Sequence, residues 1–189
     1  GTLISGYGKN LAVLKFDPNG NLVNHRVIPY TFFYSYTPGH GMIESIKVND
    51  AGTQVFILLS NMIKEINPTS LLDVTNQAGT FESIDISDNG AFIYFAASGQ
   101  AGFFPGLGFT PVTIATPTGA KTDLEFDDVN DRLYLGLNRD VYVFDVTATT
   151  ITPNSIPIWT NVFNDEFYHE MVPTPTGLLA YSMNQFYGF

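Results

Sequence analysis

Hydrophobic and polar residues follow one another along this chain in a pattern that repeats. Residues 43–52 (IESIKVNDAG) align without gaps on residues 81–90 (FESIDISDNG). Residues 123–130 (DLEFDDVN) form a third copy, and residues 171–177 (MVPTPTG) form a degenerate fourth copy. Self-similarity with a period of about 40 residues indicates an architecture built from repeated supersecondary units.

Each copy predicts the same succession of elements. A short strand comes first, with alternating apolar residues such as Ile46 and Val48. A tight turn rich in Asp, Asn and Gly follows, where a positive φ angle is favourable. A nearly continuous apolar strand comes next, such as residues 55–59, and strands of this kind are usually buried on both faces. The turn residues are spaced 38, 40 and 47 positions apart: Gly52, Gly90, Asn130 and Gly177.

This order of elements predicts an all-β fold. A strand, a hairpin turn, a buried strand and weaker outer strands, repeated every ~40 residues, form the pattern of a β-propeller blade. We predict a single domain over residues 1–189, a small β-propeller or propeller-like ring of four to five blades. The chain begins at a second strand and ends after a first and a second strand, so the termini would share one blade and remove two sheet edges. An incomplete, open ring fits the same pattern.

Two segments interrupt the repeat and are rich in aromatic residues. Residues 28–41 contain five Tyr and Phe, and residues 98–111 are predicted to form a glycine-rich loop with three Phe. Exposed rings on such loops make flat contact surfaces for sugars or protein partners. The alternative is that the rings fill the space between sheets. Five residues are the candidate binding residues: Tyr34, Tyr36, Phe103, Phe104 and Trp159.

Composition excludes several classes of partner. The 189 residues carry 18 Asp and Glu against 8 Lys and Arg, a net charge of −10, and only 14% of them are charged. The acidity argues against nucleic acid and anionic membrane surfaces, and no apolar run approaches the roughly 20 residues of a membrane helix. The absence of Cys removes disulfides, thiol nucleophiles and Cys-type zinc sites, and it suits a chain outside the cell.

Ten of the 18 acidic residues lie between residues 121 and 170, which suggests a cation site. One turn in that region contains four residues whose side chains can offer oxygen ligands: Asp127, Asp128, Asn130 and Asp131. Ca²⁺ takes six to eight oxygen ligands, often from Asp, Asn and backbone carbonyls, so these residues are the candidate ligands for Ca²⁺. The alternative is that they are ordinary turn formers, as in the other copies of the repeat.

The sequence carries no catalytic motif. The three His have no metal-binding spacing, Gly-x-Ser-x-Gly is absent, and Gly102, Gly106 and Gly108 do not form a phosphate loop. We therefore expect a binding module rather than an enzyme, recognising a receptor or a glycan at an extracellular or virion surface. A Ca²⁺-dependent propeller enzyme of the lactonase or lyase kind is one alternative, with Glu44, Glu82 and Asp123 as polar candidates on the innermost strands. A bacterial surface scaffold for protein contacts is another.

Strand endings carry a further resemblance. Residues 11–18 (LAVLKFDP), 62–68 (MIKEINP) and 141–147 (VYVFDVT) resemble propeller repeats in which a strand ends in Asp/Asn-Pro or Asp-x-Thr. An acidic, Cys-free, Asn- and Thr-rich domain that begins at Gly1 as if excised from a longer chain resembles the distal spike heads of corticoviruses, tailless membrane-containing marine bacteriophages. This resemblance implies attachment to a host receptor or polysaccharide and contact with other spike or virion subunits through a preceding segment. It also implies a site for Ca²⁺.

Overall fold

The computed structural model describes residues 2–7, 10–29, 43–59, 62–70, 72–119, 121–159, 169–174 and 177–182. Within these ranges the chain forms strands and turns and no helix, so the all-β prediction is confirmed. A helix that could span a membrane is accordingly not found among the described residues. The strands form five antiparallel sheets, each made of strands that are consecutive in sequence.

Three of the sheets have four strands and two have fewer. The first sheet contains β1 (Thr2–Tyr7), β2 (Asn10–Phe16) and β3 (Leu22–Pro29). The second contains β4 (Ile43–Val48), β5 (Val55–Leu59), β6 (Met62–Ile66) and β7 (Asp73–Ala78). The third contains β8 (Ser83–Ile86), β9 (Ile93–Ala97), β10 (Gln100–Phe104) and β11 (Val112–Ala115). The fourth contains β12 (Lys121–Asp127), β13 (Arg132–Leu137), β14 (Asp140–Val146) and β15 (Ile151–Trp159). The fifth contains β16 (His169–Thr174) and β17 (Gly177–Ser182).

The sheets stack face to face in chain order, as propeller blades do. Their first strands β4, β8, β12 and β16 contact one another in that order. One hydrophobic core lies between the second and third sheets and includes Phe56 and Phe95. Another lies between the third and fourth sheets and includes Phe103 and Leu135. The architecture is therefore propeller-like, although no pairing joins the two terminal sheets among the described residues.

The continuous apolar strands lie where the sequence places them. All five residues of β5 and all five of β9 are buried, as are residues 133–137 of β13. Each of these strands has a neighbouring sheet on both sides, so both of its faces lose water. The fourth copy differs, because Leu179 of β17 is 59% exposed. That sheet has only two strands within the described ranges.

The prediction of a glycine-rich loop over residues 98–111 is confirmed for residues 105–111, where Gly106 and Gly108 adopt positive φ angles, and is wrong for residues 100–104. Strand β10 covers Gln100–Phe104 and pairs with both β9 and β11. Gly102 lies at its centre because a Cβ there would overlap the backbone carbonyl oxygen of Val112. The glycine therefore marks a close approach of two strands rather than a loop.

The turns between first and second strands follow the repeat with one difference. Gly52 and Gly90 adopt φ angles of 65° and 71°, as predicted for these turns. In the third copy the residue with positive φ is Asp131, at 52°, rather than Asn130. In this copy the strand pairing continues one residue pair further into the turn, to Asp127 and Arg132. The residue with the left-handed backbone conformation therefore lies one position later.

Candidate functional site

A cleft of about 370 Å³ opens between the third and fourth sheets, beside the turns that join their first two strands. This volume lies in the range of small-molecule sites in proteins. Residues from three segments line it: Ser87, Asn89, Phe92, Tyr94, Phe126, Asp128, Asp131, Val146, Thr147 and Ala148. The cleft thus forms only where two copies of the repeat meet. We call it the turn-side cleft.

Aromatic rings from both sheets form the apolar part of the turn-side cleft. The ring of Tyr94 on β9 stacks on that of Phe126 on β12, with centroids 4.0 Å apart and planes 19° from parallel. Tyr94 is only 2% exposed, whereas Phe126 and Phe92 are half-buried. The half-buried rings are therefore the ones that a ligand can touch.

Carboxylates form the polar part of the turn-side cleft. Asp128 Oδ2 accepts a hydrogen bond of 2.8 Å from the backbone N–H of Asp88, which ties the two neighbouring turns together. Asp131 is exposed at the same rim. Burial, together with the charges of Asp128 and Asp131, raises the pKa of the Tyr94 hydroxyl above its usual range. No Lys, Arg or His is among the residues that line the cleft, so its described wall is negative.

The candidate Ca²⁺ ligands have several different roles. Asp127 is committed to its own turn, where Oδ1 accepts from the N–H groups of Val129 and Asn130 and Oδ2 accepts from Asn130 Nδ2 at 2.8 Å. Asp128 and Asp131 line the turn-side cleft instead. No group of three or more His, Asp or Glu with metal-binding geometry occurs in the described ranges. Ca²⁺ therefore stays a prediction, with Asp128 and Asp131 as its better-placed ligands.

The candidate aromatic residues are not brought together. Phe103 and Phe104 are 0% and 2% exposed, so the prediction that they contact a ligand is wrong. As neighbours on β10 they point to opposite faces and enter two different cores. Tyr34 and Tyr36 lie outside the described residues. The backbone of Trp159 pairs with Val141, and its side chain lies outside what the structure describes.

A second polar group, the inner-strand cluster, consists of Lys47, Asp85, Asp123 and Glu125 on the first strands of three sheets. Lys47 Nζ lies 3.1 Å from Asp85 Oδ1 and 3.0 Å from Glu125 Oε1. Asp85 also accepts a 2.7 Å hydrogen bond from the backbone N–H of Phe126. Asp123 accepts one of 2.6 Å from that of Met171 on β16. These contacts link four successive sheets.

Burial changes the acid–base behaviour of the inner-strand cluster. Burial, reinforced by the charge of Asp85, raises the pKa of Glu125 to about 7 despite its contact with Lys47. Burial also raises the pKa of Asp123, outweighing the hydrogen bonds from Met171 and Leu124. Burial alone would lower the pKa of Lys47, but the charges of Asp85 and Glu125 outweigh it and hold that pKa above its usual value.

Three members of the inner-strand cluster were missed at the level of sequence. Lys47, Asp85 and Glu125 occupy the same position in three copies of the repeat, 38 and 40 residues apart. The signal was available, because equivalent positions on the first strands of neighbouring sheets must lie side by side. The residues expected there, Glu44 and Glu82, are instead exposed, and only Asp123 belongs to the cluster.

No protein-family profile and no curated protein matches the sequence. Solved structures do match in fold. A protein from Bacteroides fragilis provisionally named 6-phosphogluconolactonase is 18% identical, with a TM-score of 0.61 over 94% of this chain and 61% of its own. A chain of the mitotic checkpoint complex is 9% identical, with a TM-score of 0.64 over 94% of this chain and 57% of its own. A chain of Kuenenia stuttgartiensis hydrazine synthase is 14% identical, with a TM-score of 0.57 over 77% and 42% of the two chains.

These similarities establish the fold and correct one expectation. The prediction that the chain is not an enzyme is wrong, because one solved structure of the same fold carries the provisional name of a lactonase. A missing sequence motif therefore does not exclude catalysis on this scaffold. At these identities the likeness shows the fold alone. This chain spans less than two thirds of each of the three neighbours.

Proposed function

We propose that the protein recognises a carbohydrate through the turn-side cleft. The observation that carries the proposal is the pairing, within one cleft, of half-buried aromatic rings with hydrogen-bonding side chains. A sugar ring presents an apolar face that packs on Phe126, while its hydroxyl groups donate to carboxylates such as Asp128 and Asp131. The Nδ2 amide of Asn89 adds a donor at the rim, whereas Asn89 Oδ1 and the Thr147 hydroxyl bond within their own turns.

Ala148→Trp should abolish carbohydrate binding without unfolding the protein. Ala148 lines the turn-side cleft and is exposed, so a large ring there occupies the cleft without entering a core. We expect the signal of the labelled protein on an array of neutral and amino-sugar glycans to fall at least about tenfold. Thr149→Trp is the matched control, because Thr149 is exposed on the same turn and does not line the cleft. Equal binding by the two variants would place the glycan site elsewhere.

The setting we propose is an extracellular or virion surface, with a cell-surface receptor or polysaccharide as the partner. Support comes from the Cys-free, weakly charged composition, in which only 14% of residues carry charge. A viral spike head of the corticovirus kind is one such setting. We further propose that the five sheets form a ring of four to five blades: four where the two terminal sheets share one blade, and five where each is a blade of its own. The five-sheet stack in chain order supports this arrangement.

A hydrolase of the lactonase kind is a second candidate, favoured by the inner-strand cluster. A carboxyl group whose pKa is raised to about 7 suits general acid–base catalysis at neutral pH. The net charge of −10 disfavours an anionic, phosphorylated lactone, so an uncharged lactone is the better probe.

If this second candidate is correct, Glu125→Gln should lower the rate of gluconolactone hydrolysis by at least about a hundredfold. Glu82→Gln is the control, since Glu82 is an exposed acid outside the cluster. The rate of hydrolysis would be measured from the release of protons, after subtraction of the spontaneous rate. A wild-type rate equal to the spontaneous one would reject the candidate.

A further inference from the structure

The turn-side cleft carries a negative charge, which the binding of a neutral sugar does not require. Two carboxylates, Asp128 and Asp131, face it, and no cationic side chain lines it to balance them. Burial, reinforced by the charges of Asp128, Asp131 and Asp85, raises the pKa of the Tyr94 hydroxyl in the cleft wall. A ligand that brings a positive charge into this cleft gains an attraction that a neutral ligand lacks.

The aromatic walls decide which kind of cation fits. A hard ion such as Ca²⁺ needs six to eight oxygen ligands around it. Phe92 and Phe126 occupy part of the wall, and Asp127 is committed to its own turn. An ammonium group on an organic ring uses both parts of the cleft, because its charge pairs with carboxylates and its body packs on aromatic faces.

We infer that the turn-side cleft selects a sugar carrying an ammonium group, that is, an amino sugar with a free amine. This inference rests on the proposed carbohydrate function and names its ligand class. The sugar ring lies against the half-buried face of Phe126, and the ammonium group lies between Asp128 and Asp131. N-acetylation of the amine removes the charge and therefore the selectivity.

The test compares three ligands that share one ring, glucosamine, N-acetylglucosamine and glucose, with choline and Ca²⁺ as cationic probes that lack the sugar ring. Binding to the ¹⁵N-labelled protein is followed by NMR chemical-shift titration at pH 7.0. We expect glucosamine to bind about five- to tenfold more tightly than the other two at pH 7.0, the ratio expected for one or two partly exposed charge pairs.

Two conservative variants locate the charge that gives selectivity. Asp128→Asn keeps an oxygen that can accept from the Asp88 N–H, and Asp131→Asn suits the left-handed backbone at φ 52°. Each should bring glucosamine affinity down to within about twofold of that for glucose. Asp50→Asn is the matched control, because Asp50 holds the equivalent repeat position two sheets before Asp128. It should leave the preference intact.

The outcomes separate this inference from the proposed function. Equal binding of all three sugars would overturn the amino-sugar inference and leave carbohydrate recognition standing. Binding of choline at the same residues without binding of any sugar would overturn carbohydrate recognition and keep the cation preference. Binding of Ca²⁺ alone, lost in both Asn variants, would overturn both, as would a cleft that none of these ligands perturbs.

Discussion

Phe103→Ala should lower the free energy of unfolding by about 3–5 kcal/mol, a large part of the total stability of a typical domain. Phe103 is 0% exposed and lies in the core between the third and fourth sheets. Its ring makes an edge-to-face contact with Phe92 at 5.4 Å and a tilted contact with Tyr94 at 6.0 Å. Truncation leaves a cavity that the flanking sheets cannot close without losing other contacts.

The matched control for Phe103 is Phe109, which lies five residues beyond β10 and is 62% exposed. Phe109→Ala should change stability by no more than about 0.5 kcal/mol. Urea unfolding followed by circular dichroism measures both variants. Comparable losses for the two would contradict the placement of Phe103 in the core. They would also support the alternative, in which Phe103 is a binding residue.

Lys47→Met should cost about 3 kcal/mol of stability at pH 8, because it leaves two carboxylates without their shared cation. The side chains of Asp85 and Glu125 are only 10% and 22% exposed, and removing one partner from such a pair leaves buried charge uncompensated. Arg132→Met is the control, since Arg132 Nε lies 3.6 Å from Asp145 Oδ1 and the two side chains are 45% and 50% exposed. That exposed pair should contribute no more than about 1 kcal/mol.

The pH dependence of the inner-strand cluster gives this prediction a second readout. The pKa of Glu125 rises from 4.5 to about 7 on folding, so the folded state holds its proton more tightly than the unfolded state. The stability from this proton is fully present below pH 4.5 and is lost as the pH rises through about 7. Lys47→Met raises the pKa of Glu125 further, so its destabilisation should be smaller at pH 5 than at pH 8.

Lys47→Met combined with Glu125→Gln should recover part of the lost stability and flatten the dependence between pH 5 and pH 8. Chemical denaturation across that range measures all of the variants. A loss for Lys47→Met that is small and independent of pH would contradict the account of the inner-strand cluster.

The fold could be predicted from sequence because its signals are local and repeated. Continuous apolar runs such as residues 55–59 and 93–97 gave strands buried on both faces, and Gly52 and Gly90 gave their turns. Residues 100–104 were misassigned because glycine predicts a loop by propensity, whereas Gly102 is required by the close approach of β11. Packing between strands overrode local preference there.

The candidate site was less predictable because it forms between copies of the repeat. The stacking of Tyr94 on Phe126 joins residues 32 positions apart, and no spacing rule connects them. The acidic turn stands out in the sequence, but its side chains divide between two roles. Asp127 holds its own turn and Asp128 faces the turn-side cleft, a distinction set by backbone geometry that the order of residues does not reveal.

The most direct measurement is a crystal structure of the protein soaked with glucosamine. The account predicts the sugar in the turn-side cleft, with its ring against Phe126 and its amine within hydrogen-bond distance of Asp128 or Asp131. A parallel soak with glucose at the same concentration should give weaker density at the same place. Glucosamine bound at the inner-strand cluster or at Phe109, with the turn-side cleft holding only water, would contradict the central claim.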